Sequence, residues 1–367
     1  RARSCSPTSC ITPLYGRSAN SSGARPYTGG VLDTFEETPT RQPRRARRGR
    51  RVVAVTLALV LLLLVGVVAA YLLFLNHTLT ANVKHQSLLP TPGVSGALAP
   101  PARKAAAKDA QNILIIGSDS RTTVAEGRSD VIVLMHVAAD RKTVTLVHFP
   151  RDLYVSVPGH GKDKINAAFA YGGPPLLVET LQNLIGVPID HVAVLGFDGF
   201  QKMTDAVGGV DVYVEEPSSG PTYTFRKGFQ HMGGAEALAF VRERHALSQG
   251  DISRGRRQEA FIKALLLKSL SRSVLTNPIT LAHFVDAGTK NLTVDNAFSV
   301  SDMRSEAFSM RDLRSSDIAF VTAPFTGFGT APNGGSIDIV DEDGMQNLGE
   351  ALQNDRMSTY TDQTHTP

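Results

Sequence analysis

Cysteine is nearly missing from this chain of 367 residues: only Cys5 and Cys10 occur. Both lie in a Ser-, Thr- and Pro-rich tail without patterned apolar positions, which excludes a disulfide framework or a cysteine metal site for the folded part. No internal repeat is visible either, so a solenoid or propeller is excluded. Charge is missing from one stretch, Val52 to Leu75, and Lys and Arg are missing from His77 to Val83 just after it. What is present is the hydrophobic content of a folded protein, 42%, and a modest net charge of +4. That charge is uneven, with arginines crowded between Arg41 and Arg51. The chain opens on Arg1 instead of methionine, as a chain with a trimmed start would.

Residues 1–51 are rich in Ser, Pro, Gly, Thr and Arg and lack periodicity, so a disordered basic tail is expected. Residues 52–75 are an uncharged apolar run. At ~1.5 Å per residue a helix over it is ~36 Å long, more than the ~30 Å hydrocarbon core requires. The apolar core of a signal peptide is about 7–15 residues, and Tyr71, Leu72, Leu73, Phe74 and Leu75 make a poor cleavage region. A single uncleaved transmembrane helix is therefore expected. Arg44, Arg45, Arg47, Arg48, Arg50 and Arg51 flank it on one side only. That asymmetry keeps the tail in the cytoplasm and places everything after Asn76 outside the plasma membrane. Abutting an apolar span, the basic run is not read as a nucleic-acid site.

Residues 76–109 carry Pro90, Pro92, Pro100 and Pro101 and read as a linker. Residues 110–355 read as one folded domain and 356–367 as a frayed tail. Within the domain, strand-length apolar runs at 112–116, 131–137, 143–149, 191–197, 210–214 and 318–322 alternate with helical stretches. The helices are expected at 164–171, 174–185, 198–207, 235–241 and 252–271. Such alternation predicts an α/β fold, a central mixed sheet flanked by helices in α-β-α layers.

Charged loops at the ends of the first strands are where such folds build sites. Ser118-Asp119-Ser120-Arg121, Arg128-Ser129-Asp130 and Pro150-Arg151-Asp152 mix acids with arginines, which suits a polyanion bound with a metal ion. Capping, or salt bridges to Arg121 and Arg128, is the plainer reading of Asp119 and Asp130. A second cluster holds Arg242, Arg244 and His245, then Asp251, Arg254, Arg256, Arg257 and Gln258. For Arg242 and Arg244 to reach one ligand, their helix should end near Arg242. Arg254, Arg257 and Gln258 share one face of the following helix. Arginines near a helix N-terminus oppose its dipole unless an anion lies between them. Phe261, Ile262 and Leu265 continue the stripe, as a ligand with a phosphate head and an apolar tail would require. A solvated basic face would account for the helix, but not for the arginines at loop ends. His148 and His245 read as packed or rim histidines.

Taken in order, Asn112–Arg121, Arg128–Asp130, Pro150–Tyr154, Asp163–Ala168, Arg242–His245 and Arg254–Gln258 resemble the LytR–CpsA–Psr family. The resemblance is strong from about Asn112 to Phe261. It implies an extracytoplasmic, membrane-anchored phosphotransferase of cell-wall assembly. Such an enzyme moves a glycopolymer phosphate from a polyprenyl-pyrophosphate carrier to a peptidoglycan acceptor and releases polyprenyl phosphate. It also implies Mg²⁺ at Asp119 and Asp130. Arg128, Arg151, Arg242, Arg244, Arg254 and Gln258 would hold the pyrophosphate, with Arg121 beside them and Arg257 added from its helix face. The prenyl chain would lie in an apolar pocket, here bordered by Phe261, Ile262 and Leu265. Asp119 and Asp152 both stand as bases for the acceptor hydroxyl. Two residues depart from the family pattern: His148, where a small polar residue is common, and Glu259, where glutamine is frequent. The Arg-, Ala-, Gly- and Val-rich composition points to a high-GC actinobacterial source. A non-catalytic envelope regulator or glycan-binding protein and a polyprenyl-pyrophosphatase would carry the same site. The glycan, the lipid length and the oligomeric state are not encoded legibly.

Overall fold

A computed structural model describes residues 45–91, 93, 99–118, 129–243, 246–248 and 251–360, excluding the side chains of 45–48, 130, 197, 251, 252 and 315. The chain divides into two units, Arg1–Leu63 and Leu64–Pro367. The described part of the first is wholly helical and belongs to α1 (Arg45–Asn82). From Gly49 to Asn82 this helix is long and apolar enough to cross a membrane.

In the second unit β1 (Lys84–Gln86), β2 (Gln111–Ser118), β3 (Ser129–Val137), β4 (Val144–His148), β5 (Leu153–Val157) and β6 (Gly161–Lys164) come first. They are followed by α2 (Ile165–Ile185), β7 (His191–Gly196), α3 (Phe197–Ala206), β8 (Val210–Val214), β9 (Ser218–Ser219), β10 (Thr224–Phe225) and β11 (Gly228–Met232). Next are α4 (Gly234–Arg242), α5 (Asp251–Ser269), α6 (Arg272–Leu275), α7 (Pro278–Thr289), β12 (Leu292–Asp295) and α8 (Val300–Ser309). The last are β13 (Ile318–Thr322), β14 (Phe325–Thr330), β15 (Ser336–Val340) and α9 (Glu342–Gln353).

The main sheet has the order β1-β12-β7-β2-β3-β4-β13. It is mixed: β2 runs parallel to β7 and antiparallel to β3, while β13 runs parallel to β4. Period-two alternation sends Leu114, Ile116, Ile132, Leu134 and Val147 to one face. There they are sealed under Leu177 and Leu181 of α2 and Leu348 and Leu352 of α9. The other face presents Val133, Val137, Val144, Leu146 and Ile318 to Ile262 and Leu266 of α5 and to Leu270 just after it. That is the expected α-β-α layering. A second sheet, β14-β15-β5-β6, was not foreseen. Its strands read weakly because they alternate with exposed or glycine positions, as the intermediate–exposed pattern of Phe325–Thr330 shows.

The helices expected at 164–171 and 174–185 join as α2 across a kink, where Gly173 takes φ 65°. Pro174 and Pro175 then open the second segment, where their missing N–H groups cost nothing. Two expected boundaries shift. Residues 76–82 continue α1 instead of starting a linker, and Lys84–Gln86 pairs with β12. At the other end, Met357 is buried in the main core, so order outlasts the expected start of the tail at 356.

His136 sits at 1% exposure between Asn112 Oδ1 (2.8 Å) and Asp355 Oδ1 (3.0 Å), joining β2, β3 and the end of α9. Burial lowers its pKa, and the Asp355 carboxylate opposes this without overcoming it. Below the ordinary value of about 6.5 the unfolded chain therefore binds the extra proton first, and stability falls as pH falls. The unfolding midpoint should drop more steeply from pH 7.5 to 5.5 in the parent chain than in His136→Gln. Equal slopes would remove His136 from the acid response.

Candidate active site

The sheet delivers its charged loops to one edge, beyond the C-terminal ends of β2, β4, β7 and β13, where open α/β sheets place their ligands. Strand β2 reaches that edge through Gly117. A Cβ there would stand 2.9 Å from Val131 Cβ, so glycine lets β2 and β3 close up where a register shift bends the pair. Asp119, Arg121 and Arg128 follow in a segment outside the described residues, as do Arg244 and His245. Asp130 is placed as backbone only, at the start of β3. Beside it the Ser129 hydroxyl is fully buried and has no hydrogen-bond partner among the described residues. A buried oxygen of this kind calls for a polar partner, which a bound ion or water would supply.

Arg151 and Asp152 follow β4 directly. Arg151 Nε lies 3.4 Å from Asp152 Oδ2, and Lys164 Nζ donates to Asp152 Oδ1 at 2.7 Å. Lys164 is delivered by the β5–β6 hairpin, opposite Tyr154. It was not singled out from the sequence, although its motif was; only the hairpin register reveals that it faces Asp152. Asp152 thus stands between Arg151 and Lys164.

The first turns of α5 are the hub. Gly255 packs so closely on β4 that a Cβ would meet His148 Cε1 at 2.9 Å. Arg254 is buried, in the turn that meets β4 next to the Arg151 loop. Gln258 Nε2 donates to Val241 O at 3.4 Å, tying α5 to the end of α4. That helix stops at Arg242, as the spacing required, and Arg242 is exposed. The contacts of Gly255 and Gln258 thus set the first turns of α5, which carry Arg254, against the end of β4 that precedes Arg151 and the end of α4 at Arg242.

Arg257 behaves differently from the phosphate contact expected of it. It is 5% exposed and donates from Nη2 to Glu216 O (2.7 Å) and Ser218 Oγ (2.8 Å). Its guanidinium also lies 4.6 Å over the Phe240 ring. Burial lowers its pKa against the opposing charges of Glu243 and Glu216. It is a tether for the β8–β9 segment. The apolar stripe divides too. Phe261 is fully buried against Phe200, 4.2 Å between rings, and Leu265 joins it, whereas Ile262 faces the sheet. Positions i and i+1 on a helix are about 100° apart, so one ligand chain cannot border all three alike.

The two departures from the family pattern meet each other. His148 Nδ1 stands 3.3 Å from Glu259 Oε1, which also accepts from Thr322 Oγ1 at 2.8 Å. Burial would raise the Glu259 pKa, but His148, Thr322 and the charge of Arg256 hold it below the ordinary value. The contact joins β4, β13 and α5.

Among the described residues no group of three or more His, Cys, Asp or Glu could hold a metal ion. Mg²⁺ needs less, one or two carboxylates plus phosphate oxygens.

A mixed sheet between helical layers, with an apolar face of α5 against it, defines an α/β protein. The chain belongs to the LytR_cpsA_psr family, which matches residues 71–354. It is 35% identical over 271 residues to the probable cell wall biosynthesis protein LcpB of Corynebacterium glutamicum, covering 70% of this chain and 64% of that one. A second relative there, the cell wall biosynthesis protein LcpA, is 32% identical over 285 residues, covering 64% of this chain and 54% of its own length. The match thus spans less than two thirds of these relatives. The polyisoprenyl-teichoic acid–peptidoglycan teichoic acid transferase TagU of Enterococcus faecalis is 32% identical over 250 residues, with 67% and 80% covered. Among solved structures, Bacillus subtilis TagV superposes with a TM-score of 0.59 at 27% identity, covering 69% of this chain and 99% of that one. TagT bound to LI-WTA gives 0.57 at 28%, with 74% and 99% covered.

Because Glu259 is held ionised by folding, its contribution is present above the unfolded carboxyl pKa and is lost as pH falls through the lower folded value. Glu259→Gln should cost about 1–3 kcal/mol at neutral pH and progressively less in acid. A cost that stays constant down to the acid limit of folding would show that the charge is irrelevant.

Proposed function

We propose that the chain is a membrane-anchored phosphotransferase that moves a glycopolymer phosphate from a polyprenyl-pyrophosphate carrier to peptidoglycan. The observation that carries this is one juxtaposition. The edge bearing Arg151, Arg242 and Arg254 borders a layer of half-buried apolar side chains between α5 and the sheet, including Ile115, Met135, Ile262 and Leu266. Such a pairing suits a lipid with a diphosphate head. The TagU and TagT names support the substrate class.

In this reading Arg128, Arg151, Arg242, Arg244, Arg254 and Gln258 hold the pyrophosphate, with Arg121 at its rim. Arginine forks match phosphate oxygens in pairs and neutralise the charge that leaves with polyprenyl phosphate. Asp119 and Asp130 would hold Mg²⁺, which would supply charge neutralisation at the diphosphate. The acceptor hydroxyl oxygen forms a bond to the glycan-linked phosphorus, and the bond from that phosphorus to the bridging oxygen breaks. With Asp152 engaged by Lys164, the hydroxyl proton goes to Asp119. Ile262 and Leu266 border the prenyl chain; Phe261 and Leu265 support them from the opposite layer. The basic flank of the span places the site outside the plasma membrane.

A labelled polyprenyl-pyrophosphate glycan, incubated with and without a peptidoglycan oligomer, tests this. Transfer to the oligomer is expected. Release to water alone indicates a pyrophosphatase, and binding without turnover a regulator. Arg254→Ala should weaken binding of a prenyl pyrophosphate roughly ten- to a hundredfold, as the loss of about 1.5–3 kcal/mol requires. Folded Asp119→Ala and Asp130→Ala should lose most transfer, and a chelator should do the same to the parent chain. Full activity in excess chelator removes the metal.

A further inference from the structure

Every residue of α1 from Val52 to Ala70 is exposed on all sides. The pattern changes at Tyr71. From there Tyr71, Leu75, Thr78 and Asn82 are shielded at helical spacing, so one face of α1 packs on the rest of the second unit. Its partner is α7. The Tyr71 hydroxyl donates to Pro278 O at 2.7 Å, and Asn82 Nδ2 donates to Asp286 Oδ1 (3.1 Å) and Thr289 Oγ1 (3.2 Å). Low numbers meet low and high meet high, so the helices run side by side in the same direction. The start of α7 therefore lies at the level of Tyr71, inside the uncharged run that ends at Leu75.

That level can be placed. A hydrocarbon core of ~30 Å takes about twenty helical residues. Counted from Val52, where the arginines stop, twenty residues end at Tyr71. Aromatic residues with one polar atom favour this boundary. The corner between α6 and α7 at the same level is unusual in what it shows. Ile279 is 68% exposed and Leu275 43% exposed, with Arg272 exposed on the same short helix. The polar backbone there is satisfied internally. Asn277 Oδ1 accepts from Ile279 N (3.1 Å) and Thr280 N (3.2 Å), Thr276 Oγ1 donates to Arg272 O (2.7 Å), and Tyr71 covers Pro278 O. Capped helix ends and outward apolar side chains suit a surface poor in water.

We propose that the α6–α7 corner dips into the lipid surface at the C-terminal end of the span, with Ile279 and Leu275 among the acyl chains and Arg272 at the phosphates. The proposal rests on the reading of α1 as a membrane anchor.

The chain has no tryptophan, so single reporters can be introduced cleanly. Ile279→Trp and Lys290→Trp mark the start of α7 and the residue that caps its end, eleven residues and so about 16 Å apart. Both would be made in the full chain and reconstituted in phosphatidylglycerol–phosphatidylcholine vesicles, with lipids brominated near the carbonyl end of the chain as quenchers. The tryptophan of Ile279→Trp should emit further to the blue, be quenched at least twofold more by bromolipid, and be shielded from iodide. Equal bromolipid quenching at the two positions, or equal access to iodide, overturns the proposal. A chain that does not float with vesicles sinks the anchor reading and this one together. One that floats with an iodide-accessible reporter at 279 sinks only this one.

Discussion

Helix α5 can serve the site only while it is seated against the sheet, and one polar contact fixes it there beside the apolar packing of Ile262 and Leu266. His148 on β4 and Thr322 on β13 both reach Glu259, two turns into α5. Around that contact Gly255 permits the close approach, and Gln258 reaches the end of α4. Breaking a partly buried contact to a carboxylate is expensive because it leaves the remaining partner unpaired.

The same contact explains how two departures from a family pattern can be tolerated. Taken singly, a histidine near the Arg151 loop and a carboxylate near bound phosphates each look disruptive. Together they form one hydrogen-bonded unit that turns the carboxylate toward Thr322.

Much of this was legible in the sequence. Ile318–Thr322, His191–Gly196 and Val210–Val214 are strands because short apolar runs with turn residues at both ends have few other solutions. The end of α4 at Arg242 followed from asking what two arginines two residues apart can reach. The second sheet was not legible, since glycine and exposed positions break its period. Nor was the tether role of Arg257. Helix periodicity puts it beside Arg254, and only tertiary packing sets its head over Phe240. Ile262 and Phe261 were read as one stripe because adjacent positions look alike in a string and differ by a quarter turn in space.

The junction between α1 and the sheet has a mechanical consequence. Only Val83 separates the helix end at Asn82 from the strand pairing that begins at Lys84, and Val83 is itself buried. There is no slack in that joint. A leash would let the sheet swing through a volume set by its length, whereas a one-residue joint leaves β1 little freedom against the end of the helix. Whatever turns the end of α1 just before Asn82 turns the sheet edge at β1 with it.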